Sequence, residues 1–70
     1  MFTARLKERR KSKGFTQKSI ADFLGITERG YQNYEIGKRQ PSLDVLITLA
    51  DYFETSTDYL LGRTDDPAKR

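Results

Sequence analysis

The sequence predicts an all-α domain. Its apolar residues recur at intervals of three and four, which is the spacing of a helix face and not the alternation of a strand. No Asn-Gly or Asp-Gly dipeptide marks a hairpin. Glycines and prolines divide the 70 residues into short segments, each of which carries this helical spacing. We therefore expect short helices joined by tight connections, in one domain over residues 1–62, followed by a polar, frayed tail over residues 63–70.

Each expected helix begins after a Ser or Thr that can cap its free backbone amides. The expected capping residues are Thr3, Thr16, Thr27, Ser42 and Ser56. Glycines are expected just past the ends of four helices, where a left-handed backbone ends the turn. The expected helical ranges are 3–13, 17–24, 28–36, 43–53 and 57–61.

The fourth helix is apolar on two sides. One stripe contains Leu43, Leu46, Ile47, Ala50 and Phe53, and the other contains Val45, Leu49 and Tyr52. The second stripe, together with Tyr59 and Leu61 of the fifth helix, is more apolar surface than a small monomer should expose. Part of it is expected to pack inside the domain and the remainder to contact a partner.

Composition excludes several classes of function. Cysteine and histidine are absent, which removes disulfides, the commonest metal ligand and the commonest general base at neutral pH. We therefore expect no enzyme, no metal site, no cofactor and no evident small-molecule ligand. No apolar run is long enough to span a membrane, and the first ten residues do not resemble a signal peptide. A cytoplasmic protein without membrane contact is expected.

Charge is unevenly distributed along the chain. Residues 1–18 contain seven basic side chains and one acidic side chain, whereas residues 43–70 contain three basic and six acidic ones. A strongly basic end is what a surface that faces phosphates needs. A solvated charged helix would have the same composition, so charge alone leaves both interpretations open.

Residues 17–36 have the pattern of two short helices joined by a tight turn, the helix-turn-helix. Ala21 provides the small residue needed where the helices cross, and Gly25 tolerates the left-handed turn between them. Apolar groups at fixed offsets complete the packing face: Ile20, Leu24, Ile26, Tyr31 and Tyr34. The whole set within twenty residues indicates this motif.

The chain resembles the Xre family, the Cro and lambda-repressor type of helix-turn-helix domain. The resemblance covers about residues 2–62 and rests on Arg10, Gly14-Phe15-Thr16-Gln17, Ile20-Ala21, Leu24-Gly25-Ile26-Thr27, Tyr34-Glu35, Gly37-Lys38-Arg39, Pro41-Ser42 and Asp58-Tyr59-Leu60-Leu61-Gly62. It implies a compact five-helix, lambda-repressor-like domain with the helix-turn-helix at helices 2 and 3. It also implies a homodimer that binds double-stranded DNA at a palindromic operator and represses or activates transcription, with repression the favoured role.

The resemblance assigns roles to three polar residues of this chain. It pairs Arg10 with Glu35 in an ion pair, and helical periodicity places both on inner faces. It also gives Gln17, at the start of the second helix, a contact with phosphate and a role in steadying the recognition helix.

The third helix is expected to read the DNA. Its outward side chains suit base edges, since Arg reads guanine and Gln or Asn reads adenine. The expected base contacts are Thr27, Glu28, Arg29, Gln32 and Asn33. Lys38 and Arg39 follow this helix in a segment that offers both cations and backbone amides to phosphate. Gly30 and Ile36 depart from the usual family pattern and leave the fine specificity open.

The family often dimerises through its fifth helix. The resemblance therefore marks Tyr59 and Leu61 as the expected dimer interface, with Tyr52 and Phe53 nearby. An alternative stays open: an antitoxin-type or other protein-interaction module of the same fold, whose main partner is another protein.

Overall fold

Five helices account for the ordered secondary structure of residues 1–68, which are the residues that the computed structural model describes. They are α1 (Phe2–Ser12), α2 (Gln17–Leu24), α3 (Glu28–Glu35), α4 (Leu43–Tyr52) and α5 (Thr57–Leu60). Residues 1–68 contain no strand. The all-α, five-helix prediction is therefore confirmed, and no helix boundary differs from the predicted one by more than one residue.

Four of the five predicted caps are present. The side chains of Thr16, Thr27, Ser42 and Ser56 each accept a hydrogen bond from the backbone amide three residues later. The prediction for Thr3 is wrong: α1 already begins at Phe2, and its N-cap Met1 makes no side-chain capping bond. Thr3 lies inside the first turn instead.

A left-handed glycine joins α2 to α3. Gly25 has φ +73°, and its amide and that of Ile26 bond back to the last turn of α2. Only Ile26 and the cap Thr27 separate Gly25 from α3, so a side chain at Gly25 would strain the turn that sets the angle between the two helices.

The core lies between α4 and the other helices. Its buried side chains are Leu6, Ile20, Ala21, Tyr31, Tyr34, Leu46, Leu49, Ala50, Phe53 and Leu60. Residues from both predicted stripes of α4 are therefore buried. Leu43 and Ile47 of the first stripe are exposed, whereas Leu49 of the second is fully buried. Val45 and Tyr52 of the second stripe are partly buried, so the large apolar side chains that α4 exposes belong to the first stripe, while Leu61 is exposed as expected.

Residues 63–68, which follow α5, contact the rest of the domain. Arg5 donates to the carbonyl oxygen of Thr64 and to Asp65 Oδ1, the latter at 2.8 Å. The hydroxyl of Thr55, itself 1% exposed, donates to the carbonyl oxygen of Pro67 at 2.6 Å. The predicted tail thus packs against α1 and the α4–α5 connection; its residues 69 and 70 lie outside the described residues.

Candidate nucleic-acid interface

Helices α2 and α3 pack against each other as the helix-turn-helix pattern predicts. Ile20 and Ala21 of α2 are buried against the inner face of α3, where Tyr31 and Tyr34 are also buried. Because these four side chains fix the inward face, the opposite face of α3 is left to solvent.

The outward face of α3 carries the residues predicted to contact bases. Thr27, Glu28 and Arg29 are exposed at its N-terminal end, and Gln32 and Asn33 are partly buried one turn further on. The structure thus gathers all five on one helix. Ile36, 68% exposed at the end of α3, continues this surface with an apolar group.

A close contact with the preceding turn explains why position 30 is a glycine. A Cβ at this position would lie 3.2 Å from Oγ1 of Thr27 and 3.8 Å from Cδ1 of Ile26. The amide of Gly30 donates to that same Thr27 oxygen at 3.0 Å. The glycine therefore leaves room for the N-cap of α3, and its missing side chain points towards the preceding turn.

An ion pair joins α1 to the end of α3. Arg10 Nε donates to Glu35 Oε2 at 2.6 Å, and Arg10 Nη2 donates to Glu35 Oε1 at 3.3 Å. The Glu35 side chain is 1% exposed and that of Arg10 is 13% exposed. The pair predicted from the resemblance is thus present, in a two-pronged and nearly buried form.

The electrostatics of this pair favour its charged state. Burial raises the pKa of Glu35, but Arg10, the neighbouring Tyr31 hydroxyl and Gln17 together outweigh burial and hold the pKa below its ordinary value. The hydrogen bond to Glu35 raises the pKa of Arg10. Burial, then the neighbouring carboxylate, raises the pKa of Tyr31, whose hydroxyl is buried beside the pair without a hydrogen bond of normal geometry.

Gln17 connects the ion pair to the outward face of α3. Its amide nitrogen donates to Glu35 Oε1 at 3.0 Å, and its amide oxygen accepts from Gln32 Nε2 at 3.1 Å. A chain of hydrogen bonds therefore runs from Arg10 through Glu35 and Gln17 to Gln32. Sequence reasoning missed the contact between Gln17 and Gln32, since the two glutamines lie fifteen residues apart and carry no spacing signal.

The segment after α3 offers two exposed cations to a ligand, and three of its backbone amides are bonded within the chain. Lys38 and Arg39 are exposed. Their backbone amides both donate to the carbonyl oxygen of Asn33, at 3.0 and 3.2 Å, and the amide of Gly37 donates to that of Tyr34. These bonds close the end of α3 and engage the amides of Gly37, Lys38 and Arg39 within the chain, so the exposed Lys38 and Arg39 side chains are what this part of the segment offers to phosphate.

The four residues predicted for a dimer interface do not form one exposed patch. Phe53 is 0% exposed and belongs to the core, so its assignment to an interface is wrong. Tyr52 stacks on Phe23 with ring centroids 4.1 Å apart. Tyr59 packs against α1, where its hydroxyl donates to Glu8 at 2.8 Å. Leu61 is 49% exposed and lines an apolar groove with Leu43 of α4.

Comparison with known proteins agrees with this architecture. The family model described as helix-turn-helix matches residues 6–60. The chain belongs to this helix-turn-helix family, whose members are not enzymes, which confirms the Xre-type resemblance and the expectation of a non-enzymatic protein. No helix within residues 1–68 combines the length and the apolar character that crossing a membrane requires.

Several relatives are transcriptional regulators by name. The SPbeta prophage-derived HTH-type transcriptional regulator YonR of Bacillus subtilis is 53% identical over 64 residues, which is 91% of this chain and 59% of the relative. AnsR of the same organism, an HTH-type transcriptional regulator, is 51% identical over 84% of this chain and 51% of the relative. The cryptic phage CTXphi transcriptional repressor RstR of Vibrio cholerae is 41% identical over 84% and 53%. The chain thus spans slightly more than half the length of these relatives.

Proposed function

We propose that this chain binds double-stranded DNA and represses transcription, in the cytoplasm, as a homodimer on a palindromic operator. The observation that carries the proposal is the chain of hydrogen bonds from Arg10 to Gln32. These hydrogen bonds hold the Gln32 side chain in place, while the rest of the outward face of α3 is polar and largely exposed. A helix kept rigid in this way with its polar face free suits insertion into a major groove. Named relatives that regulate transcription, one of them a repressor, support the same function.

Base reading falls to the outward side chains of α3. Arg29 can form hydrogen bonds with guanine, and Gln32 can form them with adenine. Both residues lie towards the end of α3 that would approach the base edges if α3 is the recognition helix. Gln32 donates one amide hydrogen to Gln17 and keeps its oxygen and second hydrogen for a base. Thr27, Glu28 and Asn33 complete the proposed reading surface.

The proposed phosphate contacts lie on both sides of these base-contacting residues. Gln17 stands at the first position of α2, where the free backbone amides of a helix N-terminus attract an anion. Lys38 and Arg39 stand past the other end of α3. Contacts of this kind fix the position of a protein on the duplex without reading its sequence.

The dimer proposal centres on Leu61. This side chain and Leu43, which is 77% exposed, line an apolar groove between α4, α5 and the start of α1. Exposed leucines on a domain this small favour burial against a second copy. Tyr59 and Tyr52 are partly buried and do not line this groove: Tyr59 bonds Glu8 of α1, and Tyr52 stacks on Phe23.

Footprinting tests this function directly. The probe is the DNA immediately upstream of the protein's own coding region, because small regulators often control themselves. We expect protection of two related half-sites about 34–36 Å apart, the spacing that a two-fold dimer matches. Protection that spreads evenly over the probe, with no preferred site, would contradict sequence-specific binding.

A further inference from the structure

The basic side chains of α1 fall into two groups. Arg5, Arg9, Arg10 and Lys13, the last at the C-cap, each form an ion pair with a carboxylate, at nitrogen–oxygen distances between 2.6 and 3.7 Å. Lys7 and Lys11 belong to the other group: both are exposed, and neither forms an ion pair with another residue among 1–68. Most of the basic excess of the N-terminal segment is therefore neutralised within the domain, and two lysines are left over.

These two lysines stand together. They are four residues apart on α1, so they lie one turn apart on the same face. Both line a surface groove to which Glu8 and Glu35 also contribute. Glu8 interacts with Arg9 and with the Tyr59 hydroxyl, and Glu35 with Arg10 and Gln17. Because both carboxylates are engaged elsewhere, the charge of the two lysines stays uncompensated.

The groove lies beside the proposed DNA surface. Thr3 lines it, and the methyl carbon of Thr3 would be 3.5 Å from a Cβ placed at Gly37. Gly37 immediately precedes Lys38, and Glu35 is the last residue of α3. The lysine face of α1 is thus continuous with the end of α3 and the cations that follow it.

From this juxtaposition we infer that Lys7 and Lys11 bind backbone phosphates of DNA, so that α1 extends the contact beyond the helix-turn-helix. The inference rests on the proposed function. Lysines act as point charges on phosphates, and a phosphate contact carries no sequence information. Their contribution is therefore the same for every DNA sequence and decreases as salt increases.

A pair of double variants tests the inference. Lys7→Gln with Lys11→Gln removes the two uncompensated charges, and Lys13→Gln with Arg63→Gln removes two charges that are already paired, with Glu54 and Asp58. The probe is short duplex DNA of random sequence, titrated by fluorescence anisotropy at several salt concentrations. We expect the slope of log affinity against log salt to become shallower by about two units in the first variant, at about 0.9 per phosphate contact, and by much less in the second.

A second measurement does not depend on any variant. In an amide chemical-shift titration of the unaltered chain with the same duplex, signals of residues 7 and 11 should move together with those of residues 38 and 39. Equal slope changes in both double variants, or α1 signals that stay still while the α3 signals move, would overturn the inference and leave the proposed function standing. Absence of salt-dependent binding by the unaltered chain would overturn both.

Discussion

Gln17 bonds through both ends of its amide, to Gln32 on the outward face of α3 and to the buried carboxylate of Glu35. The first residue of α2 thereby orients a side chain of α3 that is proposed to contact a base. A direct consequence is that the position of Gln32 depends on Arg10, which bonds both carboxylate oxygens of Glu35. The residues that stabilise the fold, Arg10 and Glu35, therefore also position a side chain that is proposed to contact DNA.

Substituting Gln32 should affect operator DNA selectively. Gln32→Ala removes a side chain that can bond adenine at two points, which is worth about 1–3 kcal/mol of discrimination. We expect affinity for the footprinted site to fall by that amount and preference at one position of each half-site to relax. Competition binding to operator and scrambled duplexes measures both. Equal losses on the two duplexes would refute base reading by Gln32.

Substituting Arg39 should affect all DNA alike. Its side chain is exposed past the end of α3, and its amide is already bonded to Asn33, so the guanidinium is what can reach a phosphate. Arg39→Ala should weaken binding to operator and scrambled duplexes equally and flatten the salt slope by about one unit. Arg63→Ala is the control, because Arg63 is exposed but lies beside Asp58 of α5. Loss on the operator alone would show that Arg39 reads sequence.

Glu35→Ala should destabilise the fold. Removing the carboxylate leaves the Arg10 guanidinium without its partner in a nearly buried position, and breaking a buried pair costs about 3–5 kcal/mol. Urea denaturation should show a clearly lower midpoint, whereas Glu28→Ala, at an exposed position, should change it little. Coincident midpoints for Glu35→Ala and the unaltered chain would show that the pair contributes nothing to stability.

The same pair predicts how stability depends on pH. The pKa of Glu35 is lower in the folded chain than its ordinary value, so the folded state favours the charged form. Its contribution to stability is complete above the unfolded pKa of about 4.3 and is lost as the pH falls towards the folded pKa. Urea midpoints measured between neutral and acidic pH should therefore fall more steeply for the unaltered chain than for Glu35→Ala. Parallel curves would contradict this assignment.

Local features of the fold were predictable from the sequence because their causes are local. The cap Thr27 and the turn residue Gly25 each act within a few residues of their own position. The two faces of α4 were not distinguishable in this way, since Leu49 and Ile47 are equally apolar and their burial depends on which helices close over them. The attachment of Thr64 to Arg5 spans fifty-nine residues and has no signal in the spacing of either.

Loss of the attached C-terminal segment should cost stability. A chain that ends at Gly62 lacks the carbonyl oxygen of Pro67 that the Thr55 hydroxyl bonds, and the net contribution of one hydrogen bond to stability is about 0.5–1.5 kcal/mol. Urea denaturation of this truncation should show that decrease. Thr55→Val in the full chain should lower the midpoint as well, because it removes the same hydrogen bond. No difference between the truncated and full chains would show that residues 63–68 do not stabilise the domain.

Charge placed on the apolar groove should separate the proposed dimer. Leu61 lines the groove and is 49% exposed, so Leu61→Glu would put two carboxylates into a two-fold contact without disturbing the core. We expect sedimentation to show a dimer for the unaltered chain, in the presence of operator DNA or without it, and a monomer for Leu61→Glu. Phe23→Glu is the matched comparison, because Phe23 is 54% exposed and stacks on Tyr52 in the other apolar cluster. If Phe23→Glu dissociates the dimer and Leu61→Glu does not, the contact lies at Tyr52 and the groove is not the interface. If the unaltered chain is a monomer at micromolar concentration, both with and without DNA, dimerisation itself is refuted. Each half-site would then be bound by a separate monomer, with no contact between the two copies.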